Sequence, residues 1–474
     1  MKDKLAEKRF RKDFTRQQLK VAERRGAMQR AYGRRQARKD TFRDSISGQV
    51  TFDKVVETLM PDTVALLLES SNSVFSQDVI KHREETHIRG QFKLEVPEIF
   101  SIVDKPEDAY EFLAKSLAVV LYGKNSDVRF DYSKCDRVDV GAQVLLDLIL
   151  IDVIAFFNRC LGTRLIHNKF KWVRKAVGAT GLKSTKVSIQ QLLRSIGSLA
   201  IFGEEKAFSN IVPCALTRYR RDPKWTGEAA AEHKEVETTR LLEYVVKSLE
   251  KVDKTLTEEK LDSLGIVIGE ALTNAEEHSS SHRRISIGYF RLDDTDPERV
   301  GTFRLVILNF GTTIYEKFAD PDCPNPGIVE QMRKLSSSYT RKGFWRPGKF
   351  EEEELWTLYA LQEGVTSIDP LERRRGKGTI RYIENFFEIK GLGDQDMKSR
   401  MTLLSGKSRI TFDGKYRTSS RGPKGDEVRV MTFNSSGTLE DSPDSKYVEA
   451  VKNYFPGVLI SARILLQRDD LQNG

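Results

Sequence analysis

Apolar and polar positions repeat at helical spacing most clearly in residues 265–282. Glu270, Asn274 and His278 follow one another at steps of four, which aligns them along one side of an α-helix. The apolar residues of the same helix fall on another side: Leu261, Leu264, Ile268, Leu272 and Ala275. The pattern predicts an amphipathic helix that buries one face and presents a carboxylate, an amide and an imidazole on the other.

Strand-like and helix-like segments alternate between residues 91 and 183. Strands are predicted at FKLEVPEIFSI, DVRFDYSKC and TRLIHNKF, and helices at PEDAYEFLAKSLAVVLYG, VGAQVLLDLILIDVIAFFNRCLG and KWVRKAVGATGL. Such alternation is typical of an α/β layer with a mostly parallel or mixed sheet. Residues 46–90 are predicted to be a helical segment that precedes this domain, and residues 184–236 a connector that follows it.

Residues 237–474 form the predicted second domain. A long helix, VETTRLLEYVVKSLEKV, leads to the Glu270 helix, which is followed by two strands, SHRRISIGYFRLDD and VGTFRLVILNFG. Later strands are predicted at MTLLS, RITFDG, EVRVMTF and GVLISARILL. The expected architecture is an α+β sandwich with helices on one face of a mixed sheet. Residues 314–375 are polar and punctuated by glycine, and we interpret them as a lid.

The composition adds limits to this picture. A length of 474 residues predicts two or three domains, and 39% apolar with 31% charged residues is ordinary for a soluble protein. The four cysteines, at positions 135, 160, 214 and 323, form no CxxC pair, which argues against a disulfide framework or a zinc ribbon. Without a transmembrane or signal-like apolar run, we expect a cytoplasmic protein that does not enter a membrane.

The positive charge is concentrated in an N-terminal arm, residues 1–45. This arm holds 16 lysines and arginines against six acidic residues, whereas the net charge of the whole chain is +9. A basic arm can bind nucleic acid by displacing counterions from phosphates. It can equally be a solvated helix that packs on a partner protein or keeps the chain soluble, because few aromatic residues interleave its charges.

The segment EALTNAEEH, residues 270–278, resembles the N-box of Bergerat-type (GHKL) ATP-binding domains, especially that of anti-sigma-factor serine kinases. The resemblance implies that Asn274 coordinates Mg²⁺, that Glu270 polarises the attacking water or hydroxyl, and that His278 faces phosphate. The chemistry is consistent, because Mg²⁺ takes hard oxygen ligands and phosphoryl transfer needs mainly positioning and charge neutralisation.

Two later segments are similar to the glycine boxes of the same family. Residues 309–313 align with the first box, whose aspartate accepts a hydrogen bond from the adenine amino group. Here Asn309 can accept through its amide oxygen, Gly311 keeps the first glycine, and Thr313 replaces the second. The second box is matched by Gly376, Lys377, Gly378 and Thr379, where Lys377 would add charge near the γ-phosphate. The resemblance therefore implies ATP and Mg²⁺ as cofactors.

Residues 91–183 resemble a STAS domain, the fold of the antagonists of anti-sigma factors. Phosphorylated members carry a hydroxyl residue at the start of the second helix. This chain has Asp139-Val140-Gly141-Ala142 there, without an acceptor hydroxyl. The resemblance therefore implies a packing or docking module rather than a phosphorylation switch. A generic α/β layer is the alternative.

Three functions stay open. The first is an ATP-dependent regulatory or assembly switch, with ATPase activity and a homodimer as in related domains, in a bacterial regulatory or defence system. The second is a serine/threonine protein kinase that acts on a separate STAS protein, which a neighbouring gene could encode. The third is a nucleic-acid-associated clamp anchored by residues 1–45. The polar row can also be a plain solvated helix face. A zinc site at His278 and His282 lacks an evident third ligand.

Overall fold

In the computed structural model of the protein, the described residues fall in fifteen segments. They are 62–68, 73–86, 92–123, 128–161, 177–180, 187–198, 208–220, 227–277, 283–292, 301–340, 350–367, 380, 383–384, 399–421 and 428–466. Residues 62–151 and 174–474 form one compact unit, and residues 1–61 with 152–173 form another. The second unit contributes only residues 152–161 to the described structure. The basic arm lies outside the described residues.

The N-terminal region of the larger unit, residues 62–151 and 177–198, mixes helices with short parallel strands. Its elements are α1 (Asp62–Leu67), α2 (Ser73–Glu85), β1 (Phe92–Glu95), β2 (Ile99–Phe100), α3 (Pro106–Tyr122), β3 (Val128–Asp131), β4 (Arg137–Val138), α4 (Val140–Leu161, which continues into the other unit), β5 (Val177–Thr180) and α5 (Val187–Ser195). The strands pair in parallel in the orders β1-β3-β5 and β2-β4. Parallel pairing next to helices agrees with the expected α/β class.

The C-terminal region, residues 208–466, is built on one five-stranded sheet. Its elements are β6 (Ile211–Arg220), α6 (Gly227–Glu250), α7 (Glu258–Glu277), β7 (Arg283–Leu292), β8 (Gly301–Phe310), α8 (Ile314–Ala319), α9 (Pro326–Thr340), α10 (Glu352–Ala360), β9 (Arg400–Phe412), β10 (Ser419–Arg421), β11 (Val428–Val430) and β12 (Val448–Leu466). The sheet order is β6-β7-β8-β12-β9, and each neighbouring pair is antiparallel. The strand β12 therefore lies between β8 and β9.

One face of this sheet packs on the helices that follow β6. The residues of this core include Leu241 of α6, Ile268 and Leu272 of α7, Leu305 and Ile307 of β8, and Trp356 of α10. Because side chains of a strand alternate between faces, Leu305 and Ile307 point to the helices whereas Arg304 and Val306 point away. The predicted amphipathic helix is thus confirmed as α7, with Leu264, Ile268, Leu272 and Ala275 buried.

The N-terminal region covers the other face of the sheet. Helices α1, α2 and α3 contact β12. Arg409 of β9 donates from Nη1 to the carbonyl oxygen of Val103 at 2.6 Å, and Arg400 forms an ion pair with Asp104. The sheet therefore lies between two layers, which explains why its strands carry apolar residues on both faces.

Several predictions about single elements were wrong. Within the expected helix KWVRKAVGATGL, the structure describes only residues 177–180, and these form the strand β5. The expected connector 184–236 contributes α5, the edge strand β6 and the start of α6, so the C-terminal sheet begins well before residue 237. The five-stranded sheet is antiparallel at each described pair and not mixed. None of the described helices is both long and apolar enough to cross a membrane.

Candidate functional site

The helix α7 carries positions 270 and 274 in its last two turns. Its flank at Gly265, Gly269 and Thr273 faces α6, because Lys234 of α6 donates to Thr273 Oγ1 at 3.0 Å and a methyl group added to Gly265 would lie 3.3 Å from Leu242. At 100° per residue, positions 270 and 274 lie outside both this flank and the buried stripe of Leu264, Ile268 and Leu272. The side chains of Glu270 and Asn274, and the whole of His278, lie outside the described residues.

Asn309 lies near the end of β8 and faces the same side of the sheet as α7. Its side chain is fully buried, and its Oδ1 accepts a hydrogen bond from the backbone N–H of Val458 at 3.0 Å. A backbone N–H can donate only to the oxygen of the amide, so this bond fixes the amide orientation. The Nδ2 group is buried without a hydrogen-bond partner among the described residues.

An unpartnered buried N–H donor costs roughly 1–3 kcal/mol, so it marks a place where an acceptor would be bound favourably. The oxygen of Asn309, which the sequence suggested as the adenine acceptor, is already engaged by Val458. This side chain can therefore contact a nucleotide base only by donating a hydrogen bond from Nδ2.

The turn after β8 is held at several points. Gly311 has φ 149° and donates its N–H to the carbonyl oxygen of Pro456 at 3.1 Å. Thr313 is buried and caps α8, with its Oγ1 accepting from Glu316 N at 3.1 Å. The Glu316 carboxylate accepts in return from Thr313 N and also from Tyr454 Oη at 2.6 Å. Thr313 thus serves here as a helix cap in place of the glycine that gives a hinge its freedom.

The second glycine box, Gly376, Lys377, Gly378 and Thr379, lies outside the described residues. The residues that follow it are anchored. Ile380 and Ile383 are buried, and Ile383 belongs to the same core as α7. Glu384 accepts a hydrogen bond from Thr418 Oγ1 at 2.7 Å. The chain therefore returns to the α7 core directly after the box.

Much of the expected lid, residues 314–375, is part of the core, which corrects that interpretation for its described part. In α10, Leu355, Trp356, Leu358 and Tyr359 are all buried. Trp356 Nε1 donates to Ser336 of α9 at 3.1 Å. A segment that closes and opens over a ligand has few buried contacts, whereas α10 has many. Residues 341–349 and 368–375 of the expected lid lie outside the described residues.

Sequence reasoning missed a group of arginines on the opposite face of the sheet: Arg304, Arg400 and Arg463. The available signal was an arginine inside each of three apolar strands, as in FRLVIL and SARILL. The alternation of these strands gave no sign that the arginines would meet, because strand order is a long-range property.

No family model matches this chain, and neither a curated protein nor a solved structure shows significant similarity to it. Cys135, Cys214 and Cys323 form no disulfide among the described residues. Among the described residues, no group of three or more His, Cys, Asp or Glu side chains is arranged to hold a metal ion.

Proposed function

We propose that the C-terminal region binds Mg-ATP on the helix side of its sheet, between α7 and the end of β8, and acts as an ATP-dependent regulatory or assembly switch. The observation that carries the proposal is the buried, unpartnered Nδ2 of Asn309 on the same face as the Glu270–Asn274 helix. The ring nitrogens of adenine are acceptors that such a donor would bind.

The described elements around this position support the proposal in three ways. The order helix, strand, strand and glycine turn is the order in which the N-box and first glycine box were expected. Gly311, two residues after Asn309, has φ 149°, a backbone conformation that favours glycine. Ile383, just after the second glycine box, packs in the core of α7. Asn274 would hold Mg²⁺, which takes oxygen ligands together with phosphates and waters.

Glu270 and Asn274 have different proposed roles, so replacing each should have a different effect. Loss of the Asn274 oxygen removes a metal ligand, so Asn274→Ala is expected to weaken Mg-dependent ATP binding. Loss of the Glu270 carboxylate removes a general base, which is worth about 10²–10⁴-fold in rate. Glu270→Ala is therefore expected to bind Mg-ATP normally and to lose at least a hundredfold in turnover.

The test measures ATP binding by calorimetry and release of phosphate with the full chain. Glu259→Ala is the matched control, because Glu259 is an exposed glutamate in the first turn of the same helix. Asn309→Asp tests the donor directly: it keeps an oxygen for Val458 N but replaces Nδ2 with an acceptor, so ATP affinity should fall tenfold or more. Wild-type protein that binds no Mg-ATP would sink the proposal, and wild-type turnover in Glu270→Ala would remove that residue as the base.

A further inference from the structure

Three arginines form a row across the sheet face that is turned toward the N-terminal region. Arg463 of β12 is paired directly with Arg304 of β8 on one side and with Arg400 of β9 on the other. Residues opposite each other on adjacent strands have Cβ atoms about 4.5–5.5 Å apart, and like charges in such positions are destabilising. The row therefore needs negative charge close to it.

The N-terminal region supplies two carboxylates and a fourth arginine to the same cleft. Asp104 is shared, because it pairs with Arg400 and also with Arg137 at 2.6 Å. Asp139 is buried at the start of α4, where it accepts a hydrogen bond from Gly141 N at 3.1 Å. Four guanidinium groups thus face two carboxylates, which leaves the cleft with a formal charge of +2.

The excess charge is centred on Arg463 and Arg304. The Nε of each is buried without a hydrogen-bond partner among the described residues. The Arg304 guanidinium also interacts electrostatically with Asp139 and lies 5.8 Å from the centre of the Tyr289 ring. Burial and the neighbouring Arg304, Arg400 and Arg137 lower the pKa of Arg463 to about 10. Donors that are buried and unsatisfied are costly, and charged ones more so.

We propose that this cleft binds a small dianionic oxyanion of the phosphate class, with Arg463 and Arg304 as its main ligands. A guanidinium presents a planar fork of N–H donors that matches two oxygens of a tetrahedral oxyanion. A dianion would balance the formal charge of +2 and occupy the unpartnered donors. The ligand would also connect the sheet to the N-terminal region, because residues from both line the cleft.

This site is separate from the proposed nucleotide site. Arg304 and Asn309 lie on the same strand at positions of opposite parity, so their side chains emerge on opposite faces of the sheet. Oxyanion binding is therefore expected to persist in Asn274→Ala and Asn309→Asp, whatever those variants do to ATP.

The test titrates the full chain with inorganic phosphate at constant ionic strength and follows both the melting temperature and the heat of binding. Wild-type protein should be stabilised by phosphate, whereas Arg463→Gln and Arg304→Gln should lose tenfold or more in affinity. Without phosphate both variants should melt higher than wild type, because each removes like-charge repulsion from the row. Arg333→Gln, which changes an exposed arginine on α9, is the control and should bind phosphate as wild type does.

Methyl phosphate is the second probe. Binding of both probes would assign the cleft to the terminal phosphate of a small molecule, and binding of inorganic phosphate alone would assign it to the free ion. If the arginine variants fail to fold, Asp139→Asn tests the proposal in their place. Asparagine keeps the acceptor for Gly141 N while it removes a negative charge, so phosphate should bind several-fold more tightly. The proposal is overturned if phosphate does not stabilise wild type, or if Asp139→Asn leaves its affinity unchanged.

Discussion

The ion pair between Glu237 and Arg284 gives a sharp prediction about stability. Glu237 lies on α6 and is 5% exposed, and Arg284 lies on β7 and is completely buried. Arg284 Nε donates to Glu237 Oε2 at 2.7 Å, while its guanidinium lies 3.7 Å from the centre of the Tyr219 ring. Glu237 Oε1 accepts from Ser286 Oγ at 2.8 Å. The pair therefore joins α6 to β7, the strand next to the edge strand β6.

Replacing Glu237 with alanine removes the carboxylate and leaves the Arg284 charge buried. Breaking a buried pair in this way costs about 3–5 kcal/mol, since the remaining ion loses its compensation. That is a large part of the about 5–15 kcal/mol by which native domains are stable. Glu237→Gln should cost less, because the amide oxygen can still accept from Arg284 or Ser286.

The same helix offers a matched control. Glu243 accepts from Lys247 at 2.9 Å, but both side chains are more than half exposed. An exposed i, i+4 pair is worth about 0.3–0.5 kcal/mol, so Glu243→Ala should change stability by less than about 1 kcal/mol. Both variants remove a glutamate from an ion pair on α6, and they differ mainly in burial.

Urea unfolding followed by circular dichroism measures the effect as a shift of the midpoint. Adding Arg284→Met to Glu237→Ala should recover part of the loss, because the orphaned charge is gone. The reasoning fails if Glu237→Ala and Glu243→Ala shift the midpoint equally. It also fails if the double variant is less stable than Glu237→Ala by the full cost of a second independent substitution.

Two further predictions concern Glu354 and Gly457. Burial raises the pKa of Glu354 to about 7, so the folded state holds a proton that the unfolded state has released, and stability should fall as pH rises from about 4.5 to 7. The free energy of unfolding of Glu354→Gln should equal that of wild type near pH 4 and exceed it by about 2 kcal/mol above pH 7. Glu330→Gln, at an exposed position, is the control. Parallel profiles of stability against pH for Glu354→Gln and wild type would contradict this. A methyl group added to Gly457 would lie 2.2 Å from the carbonyl oxygen of Asn309, so Gly457→Ala should cost more than about 2 kcal/mol in urea unfolding. Gly364→Ala, also at positive φ but in open space, should lower stability by only about 1 kcal/mol. Equal losses of stability in the two variants would show that the contact with Asn309 adds nothing to the backbone strain.

Elements with a strong local pattern were predictable from the sequence. The helix α7 combines an apolar stripe with a polar row over 20 residues, and the strands β7 and β8 alternate around a polar turn. The short strand β5 was missed, since four residues of V-G-A-T carry no alternation that separates a strand from a helix end. Periodicity is too weak a guide at that length.

The polar appearance of the lid segment hid a core helix. Glu351–Glu354 form the start of α10, where Glu351 N donates to Glu354 Oε1 at 2.9 Å in a capping box, while the apolar residues that follow are buried. The acidic run is thus a helix start, although it reads in the sequence as a solvated loop. The arginine row could not be predicted from the sequence for another reason: it forms only because β12 lies between β8 and β9.

The position of β12 also bears on how the chain is synthesised. A ribosome produces residues 448–466 after every other described strand, yet this strand pairs with both β8 and β9 over most of its length. Until it emerges, β8 has one unpaired edge and β9 lacks its partner strand in the five-stranded sheet, a state that invites association with other chains. Translation that stalls before residue 448 would therefore release a fragment prone to associate with other chains. Correct folding of the sheet thus depends on the synthesis of this last strand.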